Sequence, residues 1–478
     1  MRHRGVIAAG HPLTTQAGAD VLRNGGNAVD AAIAAVAMAC VCEPVLSSPG
    51  GGGFAMIRHN GLVSLVDSFA HSPQQRSPTA RVEAVHVDFG TTHQEFRIGP
   101  GTAATPGLFA GLEVVARRFG TELLPTLVIA AVDAARNGVT ITPFQHHVFD
   151  VLGAIATATE SARHLFIIDG DLMPVGELFR PTGLADALEI LASDGVANSE
   201  VGAAMIAQQE GRGHLTANDL VDYRVVERQP LEVELPQRRV LLNPLPAAGG
   251  LLVGHTLRAL EGVSPVELAA ALDSTVHARR QASGDLAALA EQPIRQRGTT
   301  HVSVVDGDGT ACAITTSNGE GNGEVVDGFD FMLNNMLGED DVNPSGDQWP
   351  LDTRLSSMMC PTIIEGDGGD VTALGTGGSS RIPSAISQVV ARVCIGKRTL
   401  HDAVVAPRLH ADAGHLDVEP IDDAAALDSL LRKFPDHRVW PSPHLFFGGV
   451  HSVRLGADGR LDGVGDPRRD GSAIVVDG

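Results

Sequence analysis

The spacing of apolar residues changes character several times along the first sixty positions. A short strand-like stretch from residue 5 leads into a run from Thr14 to Arg23, which breaks at Asn24-Gly25-Gly26. From Ala28 to about Ala39 nearly every position is apolar, and a helix apolar around its whole circumference has to lie in a core. The run Ser47-Ser48-Pro49-Gly50-Gly51-Gly52-Gly53-Phe54 follows, and then an alternating strand. Helical spacing returns between Pro106 and Gly120, from Leu123 to Arg136, and across residues 183 to 213, where Gly211-Arg212-Gly213 ends it. Thr216-Ala217-Asn218-Asp219 reads as the cap of a further turn of helix. Glu227-Arg228-Gln229-Pro230 opens a strand region, and Asn243 to Gly250 introduces another helix. Helices and strands thus alternate in the manner of an α/β protein.

The sharpest local pattern begins at Gly298. Two β-branched runs, Thr299 to Val305 and Thr310 to Thr316, flank Asp306-Gly307-Asp308-Gly309 and predict a β-hairpin. The glycine-spaced loop Asn318-Gly319-Glu320-Gly321-Asn322-Gly323 comes next. Further on, Gly375-Thr376-Gly377-Gly378-Ser379-Ser380-Arg381 joins a strand-like Val371 to Leu374 to a predicted helix from Ile382 to Val390. Consecutive backbone amides at such a junction make an anion site, suited to a tetrahedral oxyanion. A dinucleotide turn would need a ribose-binding acid about 20 residues on, and Asp402, at that place, lies in a helical pattern instead. The glycine run at 50 to 53 lacks the Gly-Lys-Ser/Thr of a phosphate loop.

Composition and charge remove several function classes. The 478 residues include 43% hydrophobic residues, 55 Gly and 27 Pro, which fits a folded chain with many tight connections. A net charge of -22 argues against nucleic acid as a partner. The cysteine count, five, is odd and no Cys-x-x-Cys pair occurs, so neither a disulfide framework nor a zinc site is signalled. The apolar stretch after Met1-Arg-His-Arg is too brief for an export signal, and the longest apolar run, Ala31 to Cys42, falls well short of the roughly 20 residues of a bilayer span. These features lead us to expect a cytoplasmic protein without membrane contact. His410 and His415 share no clean helical face and read as surface loop; no metal and no cofactor is expected.

Gly-Thr-Thr-His-x-Ser-Val-Val-Asp at 298 to 306 resembles the self-cleavage segment of the γ-glutamyltransferase family. Gly-His-Pro at 10, Gly-Gly-Asn-Ala-Val-Asp-Ala-Ala at 25 and Gly-Gly-Gly-Gly-Phe at 50 extend the likeness to the N-terminus. The resemblance implies a four-layer αββα sandwich of the N-terminal-nucleophile hydrolase type. Cleavage between Gly298 and Thr299 would divide the chain into a large subunit, 1 to 298, and a small one, 299 to 478, interwoven as one heterodimeric catalytic unit. The chemistry is coherent, because a hydroxyl nucleophile needs an adjacent base and the freed α-amine of Thr299, with a pKa of about 7.7 to 8.0, supplies one.

The resemblance also implies site residues. Gly377 and Gly378 would form the oxyanion hole, and Thr316 would be the hydroxyl beside the nucleophile, with Ser317 as the alternative register. Asn318 and Glu339 would meet the amino-acid end of the substrate, and Ser356 with Ser357 its carboxylate. Asp67-Ser68-Phe69-Ala70-His71-Ser72-Pro73 departs from the family's Asp-x-Arg-Glu-x-Ala-Pro, with Phe69 in place of the arginine that clamps the α-carboxylate; His71 and Arg76 are candidate substitutes. The stretch from Glu339 to Ser356 is short, which implies a pocket without a long lid. The expected substrate is a γ-glutamyl or related small-molecule amide such as glutathione, with water or an amine as acceptor. An amidase or acylase with another acyl group, and an unprocessed binding homologue, are the alternatives.

Overall fold

The helix Ala28–Cys42 begins at a capping box built from Asn27 and Asp30. The Asn27 side-chain oxygen accepts the amides of Val29 (2.8 Å) and Asp30 (3.0 Å), while Asp30 accepts the Asn27 amide at 2.9 Å. All of its residues are buried, as the absence of a polar face requires. In this computed structural model, residues 4–88, 93–281, 298–339, 343, 348–412 and 414–477 are described. The polar segment Gln281 to Arg297, expected to be mobile as a processing site, lies outside them from residue 282 on, as does part of the stretch after Glu339.

Helix Ala28–Cys42 and its neighbour Pro12–Arg23 lie on one face of a seven-stranded antiparallel sheet. Its order is Val226–Arg228, Leu62–Ser68, Gly52–His59, Ala311–Ser317, Thr300–Asp306, Gly5–Ala9, Ser472–Val476. Strands from before and after Gly298 are therefore interleaved in one hydrogen-bonded sheet. A second antiparallel sheet runs Leu231–Leu235, Arg238–Leu242, Thr362–Gly366, Val371–Gly375, His451–Leu455, Leu461–Val464 and packs against the other face of the first. Helices Gly249–Arg258 and Ile382–Cys394 pack together beyond it. The result is a mixed α/β fold with two apolar cores. Val302, Val304 and Ile314 belong to the core under Ala28–Cys42, whereas Val305, Ala311 and Ala313 belong to the one between the sheets. That split is the period-two alternation of a strand.

The hairpin forms as its residues predict, with Thr300 opposite Thr316 and Val305 opposite Ala311. Asp306 closes it. One carboxylate oxygen accepts the Asp308 (3.1 Å) and Thr310 (2.9 Å) amides, and the other accepts Ala28 N–H at 3.1 Å, tying the turn to the start of the buried helix. Several helices differ in extent from the expectation. The 123 to 136 run is two helices, Leu124–Leu127 and Ile129–Asn137, and the 183 to 213 run splits into Thr182–Asp194 and Glu200–Gln209 at Gly195, whose φ is +73°. His410 is not in a surface loop: it is buried in strand Leu409–Asp412 beside Ser384 (2.9 Å), because that strand packs under helix Ile382–Cys394. Among the described residues no helix is long and apolar enough to cross a membrane.

Candidate active site

Thr299 stands immediately before strand Thr300–Asp306, so alternation decides what it faces. Thr299, His301 and Ser303 point toward the second sheet, and Thr300 points the other way, donating to Glu43 Oε2 at 2.6 Å. The His301 ring is fixed by Thr315 Oγ1 (2.8 Å) and Ser303 Oγ (2.7 Å) and packs where a side chain at Gly375 would stand. Burial holds its pKa well below the usual histidine value, so it is neutral and engaged at both nitrogens, and it is not a base for Thr299.

Register then selects the neighbouring hydroxyl. With Thr300 opposite Thr316, Thr299 falls opposite Ser317 on the same face. The expectation for Thr316 is corrected: its hydroxyl donates to Gly52 O at 3.3 Å on the far side of the strand, since a shift of one residue reverses the face. Ser317 Oγ donates to Gly298 O at 2.6 Å, and Thr299 Oγ1 donates to the same oxygen at 2.7 Å. The carbonyl between Gly298 and Thr299 thus carries two hydroxyl donors.

Thr299 and Ser317 open into a cleft of about 330 Å³, measured with its mouth. Phe69, Met336, Met358, Met359 and Ile382 give it apolar walls. Glu339, Ser357 and Ser379 complete the lining, and among the described residues Glu339 is the ionisable side chain there. Ser357 and Ser356 part company, because successive residues of an extended segment point apart. Ser357 lines the cleft and accepts the Met359 amide at 3.0 Å, whereas Ser356 donates to Pro246 O at 2.8 Å outside it, which corrects the expectation for Ser356. Asn318 is likewise corrected. The chain turns at Gly319, with φ +64°, and the Asn318 side chain joins Cys40, Ser47 and Met332 around a separate cavity.

Phe69 stands in the cleft wall, stacked on Phe54 with ring centroids 5.2 Å apart. Its backbone is pinned, since Phe69 O accepts Tyr223 OH (2.8 Å) and the Arg354 guanidinium, while its N–H donates to Asp67 (3.0 Å). Neither candidate substitute for the missing arginine reaches the cleft. His71 bonds Asp352 at 3.2 Å, and Arg76 lies over the Trp349 ring, 4.6 Å from its centroid.

Gly377 backs onto Thr299 so closely that a Cβ there would sit 2.0 Å from Thr299 O. Gly378 has φ +131°, and neither glycine amide donates to a protein acceptor among the described residues. Two amides beside Thr299 are what an oxyanion hole requires.

Two ionisable groups behind Thr299 and Thr300 were missed in the sequence. A guanidinium nitrogen of Arg469 lies 3.4 Å from Thr299 O, and burial lowers its pKa to about 10, leaving it charged at neutral pH. Nothing local in Asp466-Pro467-Arg468-Arg469 marks the second arginine, whose partner is 170 residues away. Glu43 did leave a signal, because an acid ending the apolar run Ala31 to Cys42 is dragged into the core. Burial pushes its pKa up to about 7 against the hydrogen bonds from Thr300 and from Thr14 (3.2 Å).

A carboxyl whose pKa is raised on folding is bound to more protons in the native state, so it lowers stability as pH rises from the unfolded value of 4.5 through about 7. Glu43 is expected to contribute a loss on the order of 3 kcal/mol across that window. Urea unfolding of wild type and Glu43→Gln at pH 5 and pH 8 checks this. The variant should show the smaller drop between the two, and equal drops would mean that another group titrates.

A sequence model described as Gamma-glutamyltranspeptidase matches residues 14–285 and 266–476. The Acylase ACY 1 proenzyme of Pseudomonas sp. (strain SE83) is 26% identical, over 99% of this chain and 94% of its own. The Glutathione hydrolase proenzyme of Escherichia coli (strain K12) is 27% identical, over 97% of this chain and 90% of its own. The crystal structure of cephalosporin acylase from Bacillus halodurans shares the fold, with a TM-score of 0.84 at 22% identity over 100% of this chain and 96% of that one. Since the family match extends from the first helix to the last strand, this chain belongs to the gamma-glutamyltranspeptidase family.

Proposed function

We propose that this protein is a self-cleaving N-terminal-threonine amidohydrolase, an αββα sandwich of that hydrolase type, acting on acyl amides whose acyl group lacks a free α-carboxylate. Cleavage before Thr299 frees its α-amine, which takes the hydroxyl proton as Oγ1 attacks the substrate carbonyl. The oxyanion forms toward the Gly377 and Gly378 amides, the amine departs, and the acyl-threonine ester passes to water or to an amine acceptor. Ser317 is the hydroxyl that orients the nucleophile, and Glu339 receives an ammonium or other donor of the substrate.

The observation that carries the substrate reading is Phe69 in the wall of the cleft that holds Thr299 and Glu339, with Met336, Met358, Met359 and Ile382 as its other apolar surfaces. An apolar wall cannot repay the desolvation of a carboxylate. The presence of both acylase and glutathione hydrolase proenzymes among the relatives is consistent with a change of acyl group on one catalytic frame.

Phe69→Arg is expected to raise kcat/KM for a γ-glutamyl anilide about 10- to 100-fold, the worth of one charge-assisted hydrogen bond. An anilide whose acyl group has no α-carboxylate should gain nothing, and a thermal melt checks that the variant folds. Equal gains on both substrates, or none on the γ-glutamyl one from a folded and processed variant, would require a different substrate reading.

A further inference from the structure

Self-cleavage demands that one particular peptide carbonyl be held still, yet its residue is a glycine, the most permissive backbone in the chain. The glycine is obligatory here, since a Cβ on Gly298 would lie 2.4 Å from Gly319 O and 2.9 Å from Val45 O. Its carbonyl is held by Ser317 Oγ at 2.6 Å, and Ser317 Oγ is itself oriented by the Gly319 amide at 3.0 Å. The other end of the same residue is held too. Gly298 N–H donates to Glu320 Oε1 at 3.1 Å, and the accepting carboxylate is fully buried.

Glu320 is fixed in turn. Its own amide donates to Asn335 Oδ1 at 3.0 Å, its second oxygen accepts Asn335 Nδ2 at 3.3 Å, and Asn335 Nδ2 is also 3.3 Å from Arg97 O. The last residue of the hairpin and the loop after it therefore present a hydroxyl and a carboxylate to one residue.

We propose that Glu320 is a positioning residue for self-cleavage: it anchors the amide of Gly298 so that the Gly298 carbonyl stays between Ser317 Oγ and Thr299 Oγ1. This rests on the self-cleaving function proposed above. In the step it serves, Thr299 Oγ1 bonds to the Gly298 carbonyl carbon, the Gly298–Thr299 C–N bond breaks, and the hydroxyl proton passes to the departing nitrogen. Water then adds to the ester, leaving a Gly298 carboxylate and restoring the Thr299 hydroxyl. Once that bond is broken, Gly298 takes part in no later turnover. Glu320 thus acts on maturation and not on the mature enzyme, which separates it from Thr299, Gly377 and Gly378.

The test is a substitution series at Glu320 in the full chain, made by pulsed cell-free synthesis. The first-order appearance of the fragment ending at Gly298 is followed on denaturing gels, and kcat/KM is then measured per cleaved molecule. Glu320→Gln keeps an oxygen acceptor at the same reach, losing the weaker contact with Asn335, and should cleave within about 5-fold of wild type. Glu320→Asp keeps the charge but falls short of the amide, and with Glu320→Ala it should cleave about 10- to 100-fold more slowly, as befits a lost hydrogen bond to a charged group. Molecules of every variant that do cleave should match wild type in kcat/KM within about 3-fold.

Cleavage of Glu320→Asp at the wild-type rate, or a kcat/KM that falls in step with cleavage across the series, would overturn the proposal, the second by showing a structural role. A wild-type chain that never cleaves would overturn the function proposed above. A wild type that cleaves beside an indifferent Glu320 series would overturn this inference alone.

Discussion

Thr299→Ala is expected to stay a single 478-residue chain and to lose turnover, while wild type yields fragments of 298 and 180 residues. Two functions disappear with one hydroxyl. The precursor loses the oxygen that stands 2.7 Å from Gly298 O, and, remaining uncut, it never exposes the α-amine that is the base of the proposed mechanism. The fold should survive, because alanine retains Cβ and both Ser317 and Glu320 keep their hold on Gly298. The expected loss in kcat/KM is about 10⁴-fold or more, the scale seen when a hydrolase nucleophile is removed. Denaturing gels with mass spectrometry check the first claim, and Thr299 should be the new N-terminus of the wild-type small fragment. Thr299→Ser, which keeps the hydroxyl, should still cleave. Turnover by an intact alanine variant would remove Thr299 from the mechanism.

The second large effect is expected at the glycine pair. A methyl at Gly377 would meet Thr299 O at 2.0 Å and Arg469 at 3.0 Å. The first contact is backbone and cannot swing aside, so Gly377→Ala should displace the nucleophile and impair both cleavage and turnover. Gly378 is less crowded, its nearest neighbour for a Cβ being Gly448 Cα at 3.4 Å, but its φ of +131° suits glycine. Gly378→Val should turn the two amides away from the developing oxyanion and lower kcat by about 10²- to 10³-fold. Its cost in stability should be nearer about 1 to 3 kcal/mol, the strain of one unfavourable backbone conformation. Paired measurements of kcat and Tm decide the matter, and near-normal kcat in Gly378→Val would remove the pair from oxyanion stabilisation.

Much of the site was legible because it is local. The hairpin follows from two β-branched runs around an Asp-Gly turn, and its first residue supplies the candidate nucleophile. Phe69, Glu339, Ser357, Gly377 and Gly378 were reached through resemblance, and the fold gathers them around Thr299. Thr316 and Ser356 face away from the cleft for one shared reason, and Asn318 does so because the chain turns at Gly319. In extended chain a shift of one position reverses the side a residue faces, so an uncertain gap left the parity of Thr316 open and only one of the adjacent Ser356 and Ser357 can face the cleft. Ser317, the alternative register, and Ser357, assigned together with Ser356, are the ones that line the cleft.

What the amino-acid sequence determined by itself are features set by dihedral preference and short-range periodicity. These are the almost wholly apolar helix that begins at Ala28, the hairpin with Asp306 at its turn, and the glycine junction after Leu374. Tertiary structure alone decided which distant groups share a cavity. It brought Arg469 to within 3.4 Å of Thr299 O from 170 residues away, buried Glu43 behind Thr300, turned His71 and Arg76 away from the cleft, and set Glu320 on the amide of Gly298. Those outcomes depend on how two sheets and their helices pack, and packing between segments far apart in the chain leaves no trace in the spacing of residues along any one of them.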